Sequence, residues 1–119
     1  MVLARWIFLV ASIYGVIVLA PGVFVPPTDV RPEFYYGFYG TALVWQIVFF
    51  VISRDPARYR PLMLVCVLEK LAFFATCLAL NLAGRLDIGP VFIGAMIDGV
   101  WMIPFLIAWR ATRTAAPHP

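Results

Sequence analysis

Three charged side chains stand inside long apolar stretches of this 119-residue chain: Glu69, Lys70 and Asp98. A charge at the centre of a bilayer costs about 2.5–3.5 kcal/mol on insertion scales, so such groups face a bundle interior or a cavity. Two carboxylates and one ammonium can hold a cation or relay a proton. They can also pair with one another and fix helix order, a device that specifies register more than it adds stability. With all three ionised, the set carries an excess of negative charge, which suits a cation or a protonated acid.

Helical phase sorts these groups. Glu69 shares a face with Cys66, Phe73 and Thr76, and Lys70 shares the adjoining one with Cys77 and Asn81. Neighbours in sequence lie about 100° apart round a helix, so Glu69 and Lys70 are expected to be poor partners. Lys70 with Asp98 is the better pair, which leaves Glu69 to Gln46, Tyr14 or a ligand. Gln46 aligns with Tyr39 and Ser53, and Asp98 with Gly94, Trp101, Met102 and Phe105. These stripes are expected to converge on a polar midplane layer, with Tyr14 and Trp101 packing on whatever it binds. Lone Gln and Tyr side chains in spans also serve as plain interhelical hydrogen-bond partners, each contributing about 0.6–2 kcal/mol.

The stretch from Arg54 to Pro61 is the most charged in the chain. Arg54, Arg58 and Arg60 beside a membrane attract anionic lipid headgroups at about 1 kcal/mol each. They also orient the chain, and Arg58 or Arg60 could fold inward onto a phosphate. Elsewhere, chemistry is sparse. Cys66 and Cys77 are eleven residues apart in one apolar run. On one helix that is about 16 Å of rise, beyond disulfide reach, and small buried apolar residues are the expectation. His118 stands alone in the terminal Ala115-Ala116-Pro117-His118-Pro119, with no companions for a metal. There is no phosphate-cradling Gly loop, no Ser/His/Asp set and no cofactor motif. No metal, cofactor or nucleic acid is expected, and the chain leans away from an enzyme.

The elements that must position these groups follow from composition. The chain is 64% hydrophobic and 13% charged, with net charge +3 and mean hydropathy +0.95. Soluble domains carry about 25% charged residues, and disordered chains are poorer still in apolar ones. A membrane protein remains. A spanning helix needs roughly 20 apolar residues, and four such runs occupy about 6–25, 34–53, 61–83 and 88–109. Breakers separate them: Pro26-Pro27-Thr28-Asp29, Asp55-Pro56, Arg60-Pro61 and Gly89-Pro90. The expected fold is a single all-α, four-helix integral membrane bundle with antiparallel neighbours. The first run, preceded by Arg5 and containing Val18-Leu19-Ala20, resembles a signal peptide, but its span length favours a retained helix.

Six basic residues (Arg5, Arg54, Arg58, Arg60, Arg110 and Arg113) fall on one side of this arrangement and two, Arg31 and Arg85, on the other. By the positive-inside rule both termini are expected in the cytoplasm. Trp6 and Trp109 then mark the inner interface, and Phe34, Tyr35, Tyr36 and Tyr39 the outer one. Eight Arg against a single Lys suit a GC-rich bacterial genome, hence a bacterial inner membrane. Ala11 with Gly15, and Ala95 with Gly99, have small-xxx-small spacing. Close packing inside the bundle is the first reading, and a homo-oligomer the second. Pro104 is expected to kink the fourth helix next to Asp98.

The functional expectation is a membrane protein that binds or moves a small cationic or amphipathic molecule, a lipid or a proton at the polar layer. The alternative is a structural subunit or assembly factor whose buried charges set packing. A cavity beside Glu69 and Asp98 favours the first, and a dry core with a direct Lys70 pair the second.

Overall fold

The computed structural model describes residues 2–25 and 31–113. The Pro26-Pro27-Thr28-Asp29 breaker and His118 lie outside the described residues. Four helices account for the architecture: α1 (Val2–Val23), α2 (Pro32–Arg54), α3 (Arg60–Leu82) and α4 (Pro90–Ala111). All four are long and apolar enough to cross a membrane, the pattern of a multi-pass membrane protein.

The boundaries have local causes. Pro32, Pro61 and Pro90 fall in the first turn of α2, α3 and α4. A helix leaves its first N–H groups unbonded, so a missing donor costs nothing there. The fourth helix therefore starts at Pro90, not at Ile88. The first starts at Val2 and takes in Arg5, whose side chain is exposed. The end of α3 needs a glycine. Gly84 adopts φ +73°, which lets the Arg85 N–H reach back to the Leu80 carbonyl at 2.8 Å. The amide of Asn81 donates to the Leu86 carbonyl at 2.9 Å and ties down the following turn. The helix α4 continues through Pro104, which removes the N–H that would bond to the Val100 carbonyl.

Packing is uneven. The helix α1 packs along α2, α3 packs along α4, and α1 joins the two pairs through α4, while α2 and α3 barely touch. The order round the bundle is thus α2, α1, α4, α3, with a gap between the last and the first. The result is a flattened body of 48 × 30 × 17 Å.

The packed core fills one end. Ala4, Phe8 and Ala11 of α1 meet Phe49 and Ile52 of α2, Met63 and Cys66 of α3, and Phe105 and Ala108 of α4. Phe8 is the hub. Its ring stacks on Phe105 at 4.5 Å and leans on Phe49 at 6.2 Å. This is the end that carries Arg54, Arg58 and Arg60. Arg60 bridges α3 and α4 here: its Nε donates to the Trp109 carbonyl at 2.9 Å, and its guanidinium lies 4.4 Å from the Trp109 ring centre.

The small residues are spent inside the bundle. Gly15 is buried against the Gln46 side chain, and the half-buried Gly99 lies against the Phe74 ring, so a methyl group at either would overlap its neighbour. Ala11 and Ala95 are buried too. Large apolar side chains such as Ile17, Ile47, Leu68 and Ile103 point outward, as a lipid-facing surface requires.

Candidate ligand cavity

Beyond the packed core the helices diverge and enclose a half-open cavity of about 820 Å³. That volume is in the range of pockets for drug-sized ligands. Its boundary with the core is the polar layer. Tyr14, Gln46, Glu69, Lys70, Asp98 and Trp101 all line it, so the six side chains singled out by helical phase share one space.

Lys70 organises the floor. Its Nζ lies 3.3 Å from Asp98 Oδ1 on α4 and 3.8 Å from Glu69 Oε2 on its own helix. The face of the Phe49 ring lies below it, 5.1 Å from Nζ to the centroid. The expected Lys70–Asp98 pair is present. Glu69 and Lys70 are the weaker pair, as neighbours about 100° apart on one helix should be: their 3.8 Å contact is an ion pair without a hydrogen bond, whereas Asp98 accepts one from Nζ. These contacts are enclosed, with side-chain exposures of 10% for Lys70, 17% for Glu69 and 25% for Asp98.

One ammonium balances the charge of only one of the two carboxylates when both are ionised. Glu69 Oε2 is buried and accepts no hydrogen bond among the described residues. Gln46 does not relieve it. The Gln46 amide Nε2 donates to the Ala42 carbonyl of its own helix at 2.8 Å, and its Oε1 is also buried without a donor. Gln46 is held there from two sides. Ser12 of α1 donates to its backbone carbonyl at 2.8 Å, and Gly15 leaves room for its side chain. Two buried acceptors without donors are unusual, since most such groups in folded proteins are paired.

The walls are aromatic. Tyr14 packs on Trp101 with ring centres 5.9 Å apart, and Trp45, Tyr35 and Tyr39 add further rings. Tyr35 is fixed by its hydroxyl, which donates to the Gly22 carbonyl at 2.9 Å. Across the gap between α2 and α3, Phe38 meets Phe73 with ring centres 5.0 Å apart. This pair spans that gap.

The Arg residues lie apart from the cavity. Arg54 and Arg58 are exposed, and Arg58 rests 5.8 Å from its neighbour Tyr59. Arg60 folds inward, but onto a backbone carbonyl and an indole of this chain. Cys66 belongs to the packed core, and Cys77 is buried on the half of α3 farther from that core. The sequence reading placed Phe73 on the Glu69 face but missed Ser12, Phe38 and Trp45. Ser12 was findable as the hydroxyl one turn from Gly15. The two aromatics carry no local signal that separates a cavity wall from a lipid-facing ring.

No family model, curated protein or solved structure matches the chain. The site therefore has to be read from its own geometry.

Proposed function

We propose that this protein binds, and in a transport cycle moves, a small cationic amphipathic molecule at the polar layer. The observation that carries the reading is the floor of the cavity, where Glu69 and Asp98 share the single ammonium of Lys70 and Glu69 Oε2 accepts no hydrogen bond. An incoming cation neutralises the excess charge and supplies the missing partner. The aromatic walls suit it as well, since ring faces attract cations by about 0.5–2 kcal/mol. A proton on Glu69 is the smallest occupant of the same kind.

Neighbouring helices run antiparallel in this reading, with both termini and the Arg54–Arg60 loop in the cytoplasm of a bacterial cell. The packed core then seals the cytoplasmic end and the cavity faces the outer leaflet. The contacts of Ala4 and Phe8 with Phe49 and Ile52 support the first point, and the basic residues support the second.

The direct Lys70–Asp98 pair favours a second reading, a structural subunit or assembly factor in which the charges set helix register. Glu69→Gln separates the two. Titrated with dodecylamine in phosphatidylcholine nanodiscs, the wild type should show saturable binding, and the variant should lose at least tenfold in affinity while keeping its melting temperature within a few degrees. Absence of saturable binding, with Glu69→Gln as damaging to the fold as Lys70→Met, would establish the structural reading instead.

A further inference from the structure

The cavity distinguishes among cations, an inference that rests on the binding reading above. Its two buried polar atoms without a hydrogen bond among the described residues are both acceptors. Glu69 Oε2 is a carboxylate oxygen, and Gln46, 2% exposed, has its amide nitrogen committed to Ala42, so the free atom is the carbonyl oxygen. A buried acceptor left without a donor forfeits the hydrogen bonds it made to water. A quaternary ammonium would balance the charge but leave both oxygens unbonded. A head with N–H groups answers charge and hydrogen bonding together.

The rest of the cavity specifies what the head is attached to. Above the polar layer the lining is mostly apolar and aromatic, with Val18, Leu19, Phe38 and Phe73 among its residues; Thr41 and Thr76 add hydroxyls, and Glu33, in the first turn of α2, is ion-paired with Arg31 at 2.6 Å. The gap between α2 and α3 leads sideways out of the bundle past Phe38 and Phe73. An apolar chain fits this route, with its end among the lipid tails. A phosphate near the head does not fit, because the carboxyl groups of Glu69 and Asp98 already occupy the floor. We infer that the occupant is a single-chain amphiphile with a protonated, N–H-bearing amine head seated between Glu69 and Gln46 and a tail leaving between α2 and α3.

The test is a ligand series on the wild-type protein in phosphatidylcholine nanodiscs, with protein-free nanodiscs as the partition control. Isothermal titration would compare dodecylamine, dodecyltrimethylammonium and dodecanol, which share a tail and differ in head. Dodecylamine should bind saturably and at least tenfold more tightly than the other two. Gln46→Leu should narrow its advantage over dodecyltrimethylammonium, and replacing a fifth of the lipid with phosphatidylethanolamine should not displace it. Equal binding of the amine and the quaternary ammonium would overturn the donor requirement while leaving a cation site in place. Displacement by phosphatidylethanolamine would assign the site to a lipid headgroup and overturn the single-chain occupant. Equal binding of dodecanol, or no saturable binding at all, would remove the cation reading itself and this inference with it.

Discussion

Lys70 and Asp98 link α3 to α4 by an ion pair, with Nζ 3.3 Å from Oδ1 at the floor of the cavity. Removing one partner of an enclosed pair leaves the other charge stranded, which costs more than removing both. Lys70→Met should lower stability in detergent by about 2–3 kcal/mol, less than a fully dry pair because Asp98 keeps contact with the cavity. The double variant Lys70→Met/Asp98→Asn should recover part of that loss. Thermal denaturation of the four proteins of this double-mutant cycle measures the coupling. Additive losses would mean that the two residues do not act as a pair.

Gly15 exists to admit Gln46. Gly15→Ala should force the carboxamide aside and destabilise the protein by about 1–3 kcal/mol, the usual cost of overpacking. Gly99→Ala should behave similarly against Phe74. Gly37→Ala and Gly40→Ala are the controls, since a methyl at either meets nothing within 4 Å. Those two should be neutral or slightly stabilising, because alanine favours the helix by up to ~1 kcal/mol. Melting temperatures of the four variants would rank them.

Arg60 holds α3 to α4 through a backbone carbonyl and an indole face at once. Lysine keeps the charge but not the planar fork that does both. Arg60→Lys should therefore cost about 1–2 kcal/mol, whereas Arg58→Lys, at an exposed position, should cost nothing measurable. A comparable loss at both positions would point to charge alone as the cause.

Sidedness can be read by thiol labelling in the Cys66→Ala/Cys77→Ala background. Thr76 lines the cavity and is exposed, while Met63 is buried in the packed core. In intact cells a membrane-impermeant maleimide should label Thr76→Cys and spare Met63→Cys. Labelling of Thr76→Cys only in inverted vesicles would reverse the proposed orientation.

Reporter fusions test the same orientation without the cavity. Fusions in the Arg54–Arg60 segment and after Arg113 should both report cytoplasm, and one beside Arg85 should report the opposite side. Replacing Arg54, Arg58 and Arg60 together by Gln should weaken that bias and the association with anionic lipid. If neither changes, those three charges do not orient the chain.

The four helices were legible in the sequence because spanning is a local property. Twenty apolar residues and a breaker suffice, and Pro32, Pro61 and Pro90 mark three of the starts to within two residues. The polar layer was legible for a related reason. The cost of Glu69, Lys70 or Asp98 in lipid is paid residue by residue, and helical phase then assigns each a face. That Lys70 pairs better with Asp98 than with Glu69 was legible from the angle between stems; that Gln46 turns its amide to Ala42 and leaves Glu69 Oε2 without a donor was not, because Ser12 and Gly15 on another helix decide how Gln46 is seated. Nor was the cavity. Phe8, Phe49 and Phe105 pack one end shut, whereas Phe38 and Phe73 span a gap at the other, yet all five are phenylalanines in apolar runs. What separates them is that α1 packs on both α2 and α4 while α2 and α3 scarcely meet. That choice of neighbours depends on the whole set of facing surfaces at once, so tertiary structure alone decides where the bundle is core and where it is open.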